Sequence, residues 1–177
     1  MKHVQILFMC LLSMNQTFSQ SNYQYFNSAG FKVKCECQLR VNNTFIQMAQ
    51  QQEQDNVRII SAYTCSDYNG VPELGKIFNI NVYDLLSNYI GMNSSNFSLF
   101  EREYLKKYAA LLTSNSMEYS YVNYKGASAI EYSFSQMNLP TKAIFFIKNK
   151  KSYLLQVGTQ NNLHSSFNLF KNSFSFY

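Results

Sequence analysis

Apolar and polar positions alternate without a break from Phe31 to Arg40. Phe31, Val33, Cys35, Cys37 and Leu39 fall on one side, and Lys32, Lys34, Glu36, Gln38 and Arg40 on the other. A period of two sustained this long predicts a half-buried strand. The residues before it, Ser21 to Gly30, read as a lead-in. After it, Val41–Asn43 predicts a turn and "TFIQMAQQQEQ" from Thr44 a second strand, closed by a turn at Asp55–Asn56. A third strand is expected from Val57, with Val57, Ile59, Tyr63 and Cys65 on one face. Past the loop "NGVPELG", the stretch Ile77–Leu86 begins with Phe78, Ile80 and Val82 alternating against Asn79, Asn81 and Tyr83. It reads as a strand that runs into a helical turn.

The period then changes. Phe100, Tyr104, Tyr108, Leu111 and Leu112 recur at helical spacing, and Ser98 with Glu101 makes an S-x-x-E capping box, so a helix is expected over 99–113. Its outer face carries Glu101, Arg102, Glu103, Lys106 and Lys107, with Glu103–Lys107 as an i,i+4 pair. Four strand-like stretches follow: "MEYSYVNY", "ASAIEYSFSQM", "KAIFFIKN" and "SYLLQVGTQ". Turns fall at 124–126 and 149–151, with a break at Leu139–Pro140. Leu163, Phe167, Phe170 and Phe174 share a helical face and predict a last helix over 161–173. Strands, a helix, antiparallel strands and a helix together predict an α+β fold, an antiparallel sheet with helices packed on it.

Composition supports a packed core. The chain has 177 residues, 46% of them hydrophobic, with 15 Phe and 14 Tyr but only 6 Gly and 2 Pro. That is one domain's worth of sequence and leaves little room for a long linker. The net charge of +5 is scattered, apart from Lys148, Lys150 and Lys151 at an expected hairpin tip. No basic stripe with interleaved aromatics indicates a nucleic-acid partner.

The first residues change where the protein is placed. Lys2 and His3 precede an apolar run from Val4 to Met14 and a polar end, the organisation of a secretory signal peptide. The run is too short to cross a bilayer, which takes about 20 residues. Thr17 and Ser19 suit a cut after Ser19, giving a leader of 1–19 and a mature domain of 20–177 with no transmembrane segment. Cys10 lies within the apolar run behind Met9, which does not fit a lipobox. A periplasmic or secreted location follows.

Export sharpens the cysteine question. Loss of the leader leaves Cys35, Cys37 and Cys65, an odd number in an oxidising compartment. Residues i and i+2 of an extended strand sit about 6.5–7 Å apart at Cα, at the limit a disulfide tolerates. Cys65 is therefore the natural partner for either Cys35 or Cys37. Such a bridge closes a loop of about 28–30 residues and contributes on the order of 3 kcal/mol. Two other readings stay open. One is a thiolate site for a soft ion such as Cu(I) or Zn, completed by Cys65, His164 or a Met. The other is a redox pair, although C-x-x-C at a helix start is absent.

Nothing in the chain has the spacing of a catalytic motif. G-x-S-x-G, H-E-x-x-H, the P-loop and G-x-G-x-x-G are all missing, and the 10 acidic residues form no glycosidase-like pair. A Cys65–His164 dyad stays open, although many dyads need a third, orienting group and a lone histidine among Ser and Asn is more often an exposed helix residue. No catalytic residue and no cofactor is assigned.

The helix "FEREYLKKYAALLTS", the strand "YVNYKGASAIEYSFSQ", the pair "KAIFFIKNKKSYLLQVGTQ" and the closing "FKNSFSF" together resemble the PsbP-like family. The opening "GFKVKC" is similar to that family's first strand. The leader, with Gln20 after the cut, is similar to those of Bacteroidetes-type bacteria. The resemblance implies an α/β/α sandwich and a non-enzymatic accessory role, in which relatives bind other proteins. It carries no metal-handling residues to this chain, and the CxC departs from it. The resulting expectation is a secreted, non-enzymatic binding domain of the cell envelope with a protein partner. The alternative is a thiol-based metal or redox protein using the CxC.

Overall fold

The computed structural model describes residues 22–51, 57–67 and 75–177. The expected leader with Cys10, the turn at 55–56 and residues 69–74 of the loop lie outside the described residues.

Two antiparallel sheets carry the fold. The larger has seven strands in the order β3-β4-β5-β9-β8-β7-β6: β3 (Arg40–Val41), β4 (Arg58–Ser66), β5 (Lys76–Asp84), β6 (Tyr119–Tyr124), β7 (Ala127–Gln136), β8 (Leu139–Lys148) and β9 (Lys151–Thr159). The smaller has order β1-β2-β10, from β1 (Tyr23–Phe26), β2 (Phe31–Lys34) and β10 (Ser175–Phe176). The helices are α1 (Asn43–Gln50), α2 (Leu86–Tyr89), α3 (Phe97–Ser114) and α4 (Leu163–Ser173). This is the α+β architecture expected from the changes of period.

One face of the large sheet packs against α4 and the small sheet. Phe31, Val33, Phe78, Ile80, Val82, Ile144, Phe146, Leu155, Phe167, Phe170 and Phe174 form that core. The other face meets α3 through Ile130, Ala143, Phe145 and Ile147 beneath Leu105, Ala109 and Leu112. Fully burying one such Phe, Ile or Leu side chain stabilises the fold by about 1.5–3 kcal/mol.

Several expectations are corrected. The lead-in is strand β1, which forms a hairpin with β2. The long alternating strand stops at Lys34. Residues 35–39 leave the small sheet, and Arg40 then pairs with Thr64 in the large one. The alternation nonetheless continues in burial, since Cys35 and Leu39 remain buried and the partly buried Cys37 packs against the same core. The expected second strand is α1, capped by Asn42, whose Oδ1 accepts a hydrogen bond from the Phe45 N–H at 3.0 Å. Its Gln, Met and Ala favour helix, and a short mixed run does not fix the period by itself.

In β4 a bulge between Ile59 and Ser61 makes Ile60 an extra residue. The bulge puts Ile59 on the opposite face from Tyr63 and Cys65, because one inserted residue inverts the side parity. The capping box does not form. Asn96 precedes the helix, Ser98 lies inside it, and Glu101 accepts from the Tyr89 hydroxyl at 2.8 Å. Leu105 and Ala109 face the core, whereas Leu111 is 56% exposed. Glu103 pairs with Lys106 at 2.9 Å rather than with Lys107.

The break expected at Leu139–Pro140 is the start of β8. Pro140 precedes Thr141, the first residue paired with β9, so its missing N–H falls at a strand end. Lys125–Gly126, Met137–Asn138 and Asn149–Lys150 all have positive φ. Two successive left-handed residues make the type I′ turn, whose twist suits a two-residue hairpin.

Candidate functional site

Two places hold the chemistry that the fold brings together. The first is the crossover between the sheets. Cys37 and Cys65 form a disulfide with a Cα–Cα distance of 6.1 Å and a sequence separation of 28. Cys35 is a buried free thiol. All three sulfurs lie within 4.8 Å of one another. Local structure explains the pairing. Cys65 sits on β4 opposite Phe78, facing the α4 core. The bend after Lys34 swings Cys37 toward it, and Gln24 holds the bend by donating to the Cys37 carbonyl at 2.8 Å and accepting from the Leu39 N–H at 2.8 Å.

Burial pushes the Cys35 thiol up to about 12, and the Glu36 charge adds to this. Backbone N–H groups of Cys37 and Glu36 oppose it. With no metal bound, such a thiol stays protonated at neutral pH. Glu36 itself pairs with Lys76 and accepts from Ser166 Oγ at 2.9 Å. His164 is not part of the sulfur cluster. It is exposed on α4 and its Nε2 meets Asn168 Nδ2 at 2.8 Å. The Cys65–His164 dyad is therefore not assembled, and Cys65 is in any case oxidised.

The second place is a groove on the α3 face of the large sheet. Its register aligns Thr64, Asn79, Gln156, Ala143 and Tyr132 across β4, β5, β9, β8 and β7. The next row aligns Ala62, Asn81, Leu154, Phe145 and Ile130. α3 covers the β8–β7 end of both rows. The β4–β5–β9 end is polar and lines a cavity of about 600 Å³. Phe45 of α1 stands on one side, and Phe134 and Met137 on the other. Thr64 Oγ1 donates to Asn79 Oδ1 at 2.6 Å. Asn81 is only 7% exposed. Burial, followed by the neighbouring phenols Tyr104 and Tyr132, pushes Tyr83 up to about 12, with its Asn81 hydrogen bond pulling the other way. Tyr108 and Tyr132 share a hydroxyl contact of 2.7 Å at the inner end.

No Asp, Glu, Lys, Arg or His lines this groove among the described residues. Its chemistry is hydrogen bonding by carboxamides and hydroxyls between aromatic and thioether walls. Sequence reasoning missed it because Asn79 and Asn81 read as the wet side of an alternating strand. The signal was present in the contrast with "SYLLQVGTQ", whose only mid-strand polar group, Gln156, lands beside Asn79.

Lys150 is not a free hairpin-tip charge. Its Nζ lies 5.6 Å from the Tyr89 ring centroid and 5.0 Å from that of Phe97.

No family model matches the chain. No curated protein matches it either. Among solved structures, the chain is similar to a Pseudomonas aeruginosa protein of unknown function described as a putative regulator. Identity is 12%, coverage is 62% of this chain and 72% of that one, and the TM-score is 0.31. At that score the likeness carries no argument. Among the described residues, no helix is long and apolar enough to cross a membrane.

Proposed function

We propose that the protein is an exported, non-enzymatic binding domain of the cell envelope whose partner docks in the groove between α1 and the end of β7. The observation that carries this reading is the groove's lining. It combines a floor of Thr64, Asn79, Asn81 and Gln156 with largely apolar walls; among the described residues it has no carboxylate, amine or imidazole, and burial pushes its Tyr83 phenol up to about 12. General acid–base catalysis works best with a group that titrates near the working pH, whereas carboxamides donate and accept at once. The occupant that fits is an uncharged, extended segment of an envelope protein, since the floor matches peptide groups and a charge would be desolvated there without a counter-ion.

The disulfide supports the exported part, because such bonds persist in oxidising compartments. The antiparallel sheet with helices on both faces supports the PsbP-like kinship. The test is a photo-crosslinking residue placed at Phe45, with the same residue at Ile90, which is 78% exposed, as control. Adducts with a defined envelope protein from position 45 alone, lost when Asn79→Asp charges the floor, are the expected result. No adduct, or identical adducts from both positions, sinks the reading. Protection of position 45 by a neutral sugar instead would replace the protein partner with a saccharide.

A further inference from the structure

We propose that, once the Cys37–Cys65 disulfide is reduced, the crossover becomes a three-thiolate site for one soft monovalent ion of the Cu(I) class. The three sulfurs already lie within 4.8 Å of one another. Metal–thiolate bonds of about 2.3 Å place the corners of a trigonal site about 4 Å apart. Side-chain adjustments of an ångström or so therefore convert the cluster into a coordination triangle.

The backbone around it is held independently of the disulfide. Lys34 N–H donates to Ser173 Oγ at 2.9 Å, which ties the approach to Cys35 onto α4. Gln24 holds the bend that carries Cys37. Cys65 lies inside the β4–β5 ladder. Reduction removes a covalent bond without freeing any of the three segments.

The donor set selects the ion. All three ligands are sulfur, and among the described residues the cluster includes no imidazole or carboxylate. Glu36, between the two cysteines in sequence, is committed to Lys76 and Ser166. Soft thiolates without harder donors suit Cu(I). A tetrahedral Zn site would need a fourth ligand that the cluster does not supply. The chemistry balances with one named reagent. A small-molecule dithiol gives two electrons and two protons to the disulfide, yielding two cysteine thiols and its own cyclic disulfide. Binding then releases three thiol protons and forms three metal–sulfur bonds with no further redox change. In the oxidised protein only Cys35 is left to donate, so the site is gated by reduction.

The experiment uses the full chain, reduced and kept anaerobic, titrated with Cu(I) against a chromophoric Cu(I) chelator. One equivalent should be withdrawn from the chelator by the reduced protein and none by the oxidised form. X-ray absorption should count three sulfurs at about 2.3 Å. Cys35→Ser should weaken binding by about 100-fold or more, since even outer-shell partners are worth 10–100-fold. Cys35→Ala serves as a second variant, and near-UV circular dichroism checks that each is folded. Two-sulfur coordination, uptake unchanged by both Cys35 variants, or a reduced chain that loses its tertiary signal overturns the proposal. Crosslinking at the groove is independent of these readings, so either proposal can fail alone.

Discussion

The two faces of the large sheet are built from the same strands and finished differently. On the α4 face, Tyr63, Phe78, Ile80, Val82, Tyr153, Leu155, Val157, Ile144 and Phe146 form an unbroken apolar surface from β4 to β8. On the α3 face, the apolar surface stops where α3 stops, and Thr64, Asn79, Asn81 and Gln156 take over. Asn81 is almost as buried as its apolar neighbours, although no helix is needed to shield an amide. Buried amides cost free energy unless bonded. A sheet that buries most of one face under α4 and the small sheet has enough burial to carry a more polar stretch on the other. The α4 face therefore carries most of the burial, and the β4–β5–β9 end of the α3 face is the side proposed above for docking.

The largest test of that division is Phe146→Ala. Phe146 is 1% exposed and its ring meets Tyr153, Tyr124 and Phe174 at centroid distances of 5.2, 4.8 and 5.9 Å. Denaturant unfolding should show a loss of about 4 kcal/mol. Crosslinking from position 45 under native conditions should survive where the variant remains folded. Second comes Cys37→Ala with Cys65→Ala, which should lose about 3 kcal/mol by the same measurement. A loss much below 1 kcal/mol would mean that the disulfide constrains the unfolded chain less than its separation of 28 residues implies.

Much of this division was legible in the chain. Phe78, Ile80 and Val82 and the last-helix face of Phe167, Phe170 and Phe174 came directly from period two and period 3.6. Three features were not. The bulge at Ile60 inverts the parity of β4, and no composition signal distinguishes it from an ordinary Ile-Ile pair. The alternation from Phe31 to Arg40 is real as a burial pattern, but periodicity reports which side is dry and not which sheet a strand joins. That is why the bend at 35–39 and the choice of Cys37 over Cys35 were hidden. The groove was missed for a related reason. Asn79 and Asn81 have the same polarity whether they face bulk water or a walled cavity, and only Phe45 and Phe134 arriving from distant segments tell the two apart.

Charge offers a third test, on the α4 side. Burial raises the Glu131 pKa, but Lys171 and Lys142, at 2.7 and 3.3 Å, outweigh it and hold the carboxyl below its usual value. A carboxyl depressed by folding contributes stability above its unfolded pKa, and that contribution is lost as pH falls through the folded one. Glu131→Gln should cost about 2 kcal/mol at neutral pH, between the values for exposed and buried pairs. The variant should also lose less stability than wild type on acidification below about pH 4, the ordinary carboxylate range. Parallel acid limbs in the two proteins would remove Glu131 as a contributor.

The smallest test compares two serines, one on each face. Ser152 on β9 is fully buried against the α3 side, and its Oγ has no hydrogen-bond partner. Ser173 on α4 is also buried, but its Oγ accepts from Lys34 N–H and donates to the Phe170 carbonyl, both at 2.9 Å. An unsatisfied buried hydroxyl carries its desolvation penalty in full, whereas a bonded one offsets it. Ser152→Ala should therefore raise stability by about 1 kcal/mol, and Ser173→Ala should lower it by about 1 kcal/mol. The opposite signs matter more than the sizes, because the chemical change is the same and only the surroundings differ. If Ser152→Ala also destabilises, Ser152 Oγ has a partner such as bound water, and the α3 face is hydrated beneath its helix as well as in its groove.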